Sequence, residues 1–286
     1  MTVSLDALVL PAFDTLEDLP SEVAPWRDRY DLEGRVRVPG VATALAHGGG
    51  VGVVPTGVGK VAAATTTASL LAADAVDLDD AVVCSVGIAG GPPSRVRLGS
   101  VVVADAVVDW DLKLRAAPAR AGRAIAPNPY VPDAATVTLD ASGVDRTMAR
   151  VEGIELSAPA DVDGARDGPD LGTDERPRVR RGTNLCGDEL WHGPRIGAEA
   201  DWLVERHGLG PYLVTEMEDV GTARALERFG RLEDYRSIRG VANFDRPVPG
   251  APDASLEAQV GAGAAVAIEN AVSVAAAVVE ARRCAG

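Results

Sequence analysis

The stretch Val214-Thr215-Glu216-Met217-Glu218-Asp219 decides how the rest of the chain is read. Residues 212–215 are apolar and read as a short strand, three carboxylates then flank one methionine, and a breaker-free run opening at Val220-Gly221-Thr222 reads as a helix. Carboxylates at the end of a buried strand are expensive to desolvate, so they are expected to have a task. One such task is gripping a vicinal diol. A carboxylate accepts hydrogen bonds from two neighbouring hydroxyls, and a methionine beside it packs on the apolar face of a sugar. Acids at a helix N-terminus are also favoured by the helix dipole, so the segment alone fits either reading.

Outward from this stretch, strands and helices alternate. Residues 7–13 read as an N-terminal strand, 14–26 as an acidic loop or short helix, and 50–54 as a strand ending at Pro55. Residues 60–71, rich in alanine and threonine, read as a helix. Residues 81–86 read as a strand, followed by the glycine-rich turn Gly87-Ile88-Ala89-Gly90-Gly91 that Pro92-Pro93 closes. The β-branched run 101–108 reads as a strand buried on both faces. Residues 161–182, dense in Asp, Gly, Pro and Arg, read as an exposed loop insertion. Residues 237–243 form a further strand, and 255–283 the closing helix, capped by Asp253 or Ser255. This alternation predicts one α/β domain spanning residues 1–286, with ligands beyond the carboxyl ends of its strands.

The 286 residues suffice for a sizeable core. Aromatic residues make up only 4%, so that core is built from Ala, Val and Leu. A formal net charge of -14 argues against nucleic acid or an anionic membrane as partner. The three cysteines, Cys84, Cys186 and Cys284, are too few and too scattered for a disulfide framework and read as reduced thiols of a cytoplasmic protein. The N-terminus has no basic region of a signal peptide. The most apolar stretch, residues 260–279, contains Glu269 and Asn270 and reads as a buried helix rather than a membrane span.

Four further constellations bear on chemistry. Gly57-Val58-Gly59-Lys60 lacks the outer glycine and the hydroxyl of a P-loop, since Val54 and Val61 stand there, and reads as a tight strand-to-helix turn. The backbone around Gly87 and Ala89 is suited to cradle an anion or a water. In Cys186-Gly187-Asp188-Glu189-Leu190-Trp191-His192-Gly193, Leu190 and Trp191 offer an apolar slot for a flat heterocycle, and His192 a hydrogen bond. With His47 and His207 scattered, no metal set is expected. Asn243 and Asp245 alternate at a strand end and point the same way if the strand runs that far, Asn243 toward a base edge and Asp245 as a proton donor if burial raises its pKa.

Taken in order, Gly-Val-Gly-Lys-Val-Ala-Ala (57–63), Val-Gly-Ile-Ala-Gly-Gly (86–91), Leu-Gly-Ser-Val-Val-Val-Ala-Asp (98–105), Cys-Gly-Asp (186–188) and Glu-Met-Glu (216–218) resemble the nucleoside phosphorylase and nucleosidase superfamily. Trp191-His192-Gly193, Glu218-Asp219-Val220-Gly221-Thr222 and Ala242-Asn243-Phe244-Asp245 are similar to one branch, the purine nucleoside permease family. The resemblance implies a central mixed, twisted sheet flanked by helices, a homo-oligomer, and cleavage of the N-glycosidic bond of a nucleoside. It implies that Glu216, Met217 and Glu218 line the ribose, with Glu218 on the 2′ and 3′ hydroxyls. Leu190 and Trp191 would flank the base and Asn243 would contact its edge.

In many members an aspartate that protonates the purine matches Asn243, and asparagine has no such proton to give. Phosphorylases of the superfamily carry an arginine and a hydroxyl at places that correspond here to Ser85 and Ile88, which supply no charge. The Val-Gly-Ile-Ala-Gly-Gly form is closer to the hydrolytic members, whose water is activated by an acid after the first strand. Asp14 stands at about that place, with Glu17 and Glu22 nearby. The expectation is therefore a cofactor-free hydrolase of purine nucleosides acting through Asp14, Asn243 and Asp245. Alternatives are a phosphorylase that takes phosphate as co-substrate through Lys60, Arg95 or a neighbouring subunit, and a nucleoside-binding protein without turnover.

Overall fold

The computed structural model describes residues 2–120, 123–159, 176–248 and 256–284. Its first half holds β1 (Val3–Ser4), β2 (Ala7–Leu10), α1 (Ala24–Arg29), β3 (Gly34–Val36), β4 (Leu45–Gly48), β5 (Val51–Val53), α2 (Lys60–Leu71), β6 (Val76–Asp77), β7 (Val82–Gly91) and β8 (Val101–Asp109). Then follow β9 (Lys113–Arg120), β10 (Arg123–Pro127), β11 (Thr136–Thr138), α3 (Ala141–Arg150), β12 (Val179–Cys186), α4 (Pro194–Arg206), β13 (Tyr212–Glu216), α5 (Asp219–Arg228), β14 (Tyr235–Phe244) and α6 (Leu256–Arg283).

The main sheet runs β11-β8-β12-β13-β7-β2-β5-β4-β3, and β14 pairs with both β7 and β8. Strands β8, β12, β13, β7 and β14 thereby close into a ring. The sheet is mixed: β14 lies parallel to β7 and antiparallel to β8, while β13 meets β7 antiparallel at the single pair Thr215–Gly90. The α/β class with a central mixed sheet is as the sequence predicts.

The strands at the centre are the most apolar. β7 and β14 are almost wholly buried, so their side chains are shared between the ring interior and the helices outside. Alanine and glycine let those helices come close. A Cβ on Gly240 would overlap the Ala267 carbonyl, and one on Gly263 the Ala242 carbonyl, so α6 lies directly on β14. Residues 263–283 of α6 are long and apolar enough to cross a membrane by length and composition, but here they pack on the sheet. Gly221 does the same between α5 and α2, where a Cβ would overlap the Lys60 carbonyl. That crossing brings the first residues of both helices together at one end of the sheet.

Two expectations change. Gly87-Ile88-Ala89-Gly90-Gly91 is not a turn but the second half of the ten-residue strand β7. Its glycines answer crowding: a Cβ on Gly87 would lie 2.5 Å from Glu22 Oε1, one on Gly90 3.0 Å from Asn243 Nδ2, and one on Gly91 2.7 Å from the Leu213 carbonyl. Of the expected loop 161–182, residues Val179 to Gly182 are instead the start of β12, pulled into the ring by β8. The part before residue 176 lies outside the described residues, as do the expected caps Asp253 and Ser255 of the closing helix.

Candidate active site

The carboxylates after β13 converge on one guanidinium. Arg239, in the middle of β14, is 1% exposed. Its Nη2 lies 2.8 Å from Glu216 and also pairs with Asp219, and its Nη1 lies 3.3 Å from Glu218 Oε2. Burying a charge is tolerated only when it is paired and hydrogen-bonded, and here three acids do the pairing.

Each acid has a distinct set of partners. Asp219 accepts from Ser85 at 2.6 Å and from Asn184 at 2.7 Å, with Ser237 and Arg239 as further donors, so it is fully engaged. Burial alone would raise its pKa, but Arg239 and the hydroxyls hold it low. Glu216 accepts from the Glu218 and Asp219 N–H groups at 2.7 and 3.0 Å, which caps the first turn of α5. Glu218 reaches the other way: its Oε1 takes the Gly59 N–H at 3.0 Å, just before α2. Burial raises the pKa of both glutamates, against the pull of Arg239. Met217, half-buried, sits between them.

A fourth acid joins this cluster from the N-terminal segment. Glu22 is 2% exposed and bridges two backbone donors, Ala12 N–H at 2.7 Å and Ile88 N–H at 2.8 Å. The missing side chain of Gly87 makes the space: a Cβ there would lie 2.5 Å from Glu22 Oε1 and 2.9 Å from Arg239 Nη1. Burial pushes Glu22 up to about 7. Arg239 and the two N–H bonds pull it down, and Glu218 pushes it up. A carboxyl that titrates near neutrality beside a guanidinium and a second carboxylate is suited to take a proton from water.

Asp14 sits elsewhere. It is half-buried and bound to Ser21 at 2.7 Å and Arg27 at 2.6 Å. Burial would raise its pKa, but those two partners hold it below the usual value. The acid after the first strand that enters the cluster is therefore Glu22, eight residues further on. From the sequence, Glu22 is read only as a neighbour of Asp14, and Arg239 is given no role. The signal for Arg239 was an arginine set between Ile238 and the run Gly240-Val241-Ala242 in a strand.

Asn243 and Asp245 diverge. A bulge between Val241 and Asn243 shifts the register against β7, and β14 stops at Phe244. Asn243 stays half-buried against Gly90 and Thr215, its amide donating to the Phe244 carbonyl at 3.1 Å. Asp245 is buried and turned away, accepting from Tyr212 Oη at 2.6 Å and Arg246 Nε at 2.7 Å. Both of its oxygens are taken up by these two partners.

Of the base-slot pair, Trp191 is buried against Trp110 with ring centroids 5.9 Å apart, whereas Leu190 is 75% exposed. Ala89 packs inside the ring with Val214 and Val241. The cations considered for phosphate are engaged. Lys60 Nζ lies 2.7 and 2.8 Å from Asp109 and Asp111, and Arg95 Nη1 lies 2.6 Å from Asp201. Ser85 is committed to Asp219 and Arg239, and the Ile88 N–H to Glu22.

The fold is similar to that of several solved enzymes. The 5′-methylthioadenosine/S-adenosylhomocysteine nucleosidase of Neisseria meningitidis, in complex with methylthio-immucillin-A, aligns over 97% of this chain and 100% of its own, with 18% identity and a TM-score of 0.65. Futalosine hydrolase of Helicobacter pylori aligns over 98% and 99%, with 15% identity and a TM-score of 0.66. The S. pneumoniae 5′-methylthioadenosine/S-adenosylhomocysteine nucleosidase, with a transition-state inhibitor, aligns over 98% and 99%, with 19% identity and a TM-score of 0.63. At these identities the likeness establishes the fold. Family membership rests on the sequence, where the purine nucleoside permease model matches residues 5–281, and the chain belongs to that family.

Proposed function

We propose that this protein hydrolyses the N-glycosidic bond of purine nucleosides, releasing the base and free ribose. The observation that carries the reading is the meeting of Glu22, Glu218 and Arg239 at Gly87: Arg239 Nη1 lies 3.3 Å from Glu218 Oε2, and a Cβ on Gly87 would touch both Nη1 and Glu22 Oε1. Glu218 holds the 2′ and 3′ hydroxyls, and Met217 lies under the sugar. As the base departs and the sugar becomes oxocarbenium-like, Glu22 takes a proton from the attacking water. Asn243 donates a hydrogen bond to the leaving base, so the charge on the base is stabilised without full protonation. Trp191 contributes through the wall it forms with Trp110.

Water rather than phosphate is supported as the acceptor because Lys60, Arg95 and Arg239 are each already paired with carboxylates. The reading needs no metal or cofactor. Nucleosidases of the same fold, solved with nucleoside-analogue inhibitors, add support for a nucleoside as ligand. We place the reaction in the cytoplasm, in keeping with three free cysteines. We take the protein for a homo-oligomer, with the exposed Val58, Val61 and Leu190 beside the start of α2 as its contact face.

The test is base release from a panel of purine and pyrimidine nucleosides with and without phosphate. Release without phosphate, giving free ribose, is expected. Release only with phosphate, giving ribose 1-phosphate, would overturn the hydrolytic reading. A second reading, binding without turnover, is favoured by the amide at position 243. It predicts saturable nucleoside binding with no base released.

A further inference from the structure

A cleft of about 610 Å³ opens at the start of β14, away from Asn243, between α3, the end of α6 and the segment before β14. Its floor is Arg236, three residues before Arg239. Arg236 is 7% exposed, yet no carboxylate is paired with it among the described residues. Its Nη1 donates to the Glu233 and Tyr235 carbonyls at 2.8 and 2.6 Å, while Nε and Nη2 have no acceptor among the described residues. Gly143 makes room for the group, since a Cβ there would overlap the guanidinium. Arg146, Arg150 and Arg282 complete the rim.

The acids that also line the cleft are largely occupied. Asp234 lies 2.6 Å from Arg231, Asp140 caps α3 through the Gly143 N–H at 2.7 Å, and Asp80 pairs with Arg282 at 3.3 Å. Glu233 is exposed and offers its backbone carbonyl to Arg236. Among the described residues Arg236 and Arg150 therefore have no carboxylate partner, and Arg146 only a distant one, 3.8 Å from Asp140. A nearly buried guanidinium without a counter-charge is unusual in a chain of net charge -14. Its free N–H groups form the planar fork that suits a phosphate group, and the cleft has the size of a small-metabolite site.

We propose that this cleft binds a phosphate group, free or carried on a small metabolite, with Arg236 at the floor and Arg146 and Arg150 at the mouth. The site is separate from the acid cluster, so it stands or falls apart from the nucleosidase reading.

The test is calorimetric titration of the full chain with inorganic phosphate, ribose 5-phosphate and AMP in turn, at fixed ionic strength. Variants are Arg146→Ala with Arg150→Ala, Arg236→Gln, and Glu218→Gln as the control for the acid cluster. Saturable binding of at least one of the three is expected. It should weaken about tenfold or more in the rim double variant, as loss of charge-assisted hydrogen bonds predicts. Binding of inorganic phosphate, which has no diol for Glu218 to hold, should be unchanged in Glu218→Gln. Preference for inorganic phosphate would identify a free-anion site, and preference for either ester a metabolite site. Because Arg236→Gln can disturb folding, the exposed rim variant carries the decision. Binding of none of the probes, or binding that survives in the rim variant, overturns the proposal.

Discussion

Glu22→Gln tests the proposed base most directly, because it keeps the side chain's shape and removes its charge. In the wild type, burial pushes Glu22 up to about 7 against the pull of Arg239 and the Ile88 and Ala12 N–H groups. The reactive form of a general base is ionised, so kcat/KM should climb with pH through about 7 and level off above it. In the variant that climb should vanish and kcat/KM fall by about 10²- to 10⁴-fold.

Stability moves the other way. A folded-state pKa raised from 4.5 to about 7 means that the native protein holds a proton which the unfolded chain has released. Stability is therefore full below about 4.5 and declines by about 3 kcal/mol as pH rises through 7. Glutamine removes this decline. It also serves only one of the two backbone donors, since its NH₂ meets the other N–H, at a cost of about 1–3 kcal/mol. The variant should thus be less stable than the wild type in mild acid, with the gap closing in mild base. Steady-state base release and thermal unfolding across the same pH series read both effects. A variant that keeps wild-type kcat/KM and the same climb through 7 would remove Glu22 from the mechanism.

Other substitutions separate the roles of its neighbours. Asp14→Asn should leave kcat/KM unchanged and cost less than about 1 kcal/mol in urea unfolding, because it removes only a half-exposed ion pair with Arg27; a collapse of turnover would restore Asp14 as the base. Glu218→Gln weakens two charge-assisted hydrogen bonds to the sugar and should lower kcat/KM by about a hundredfold or more; an unchanged value would detach Glu218 from the diol. Gly87→Ala drives a methyl between Glu22 and Arg239 and should reduce both turnover and melting temperature, with the pH climb displaced from its wild-type position. Arg239→Met leaves Glu216, Glu218 and Asp219 buried without a cation, and should lower unfolding free energy by at least about 3–5 kcal/mol in denaturant titration.

How far these features could be read from sequence depends on whether they are local. The helix Lys60–Leu71 was legible to the residue, because a run without breakers between a glycine turn and a surface loop has one local solution. The burial of the acids in Glu216-Met217-Glu218 was legible because the apolar strand before them carries them into the core, where carboxylates need partners. What the segment hid was the division of labour. Glu216 is held by the Glu218 and Asp219 N–H groups, as the helix-dipole reading predicts, while Glu218 alone reaches across to α2. The glycine run at 87–91 was misread because glycine allows both turning and crowding, and only the neighbours tell them apart. Those neighbours, Glu22, Asn243 and Leu213, are distant in sequence. Glu22 was overshadowed by Asp14 for a related reason: the Ile88 N–H that holds it comes from β7, and spacing from the first strand does not report that contact.

The charge count inside the cluster explains why these acids can differ so much in behaviour while standing together. Four carboxyls, Glu22, Glu216, Glu218 and Asp219, surround the single cation Arg239, and full ionisation would bury three uncompensated negative charges. The interior cannot sustain that, so some of these groups keep their protons at neutrality. Asp219 takes the ion pair, since two hydroxyls and an amide also donate to it. Glu216 is fixed at the start of α5. Burial and the Asp219 charge push Glu216 up to about 8, so it keeps its proton at neutrality, and Glu22, pushed up to about 7, is the acid that exchanges one there, with Glu218 close by on Arg239. A sugar diol arriving at Glu218 supplies hydrogen bonds that favour its ionised form, and by repulsion this raises the affinity of Glu22 for a proton. Binding of the substrate thereby strengthens the base that is to attack it through water. The pH climb of kcat, which reports the bound complex, should therefore lie above that of kcat/KM, which reports the free enzyme. Coincident profiles would mean that the two carboxylates are not coupled through Arg239 as the geometry requires.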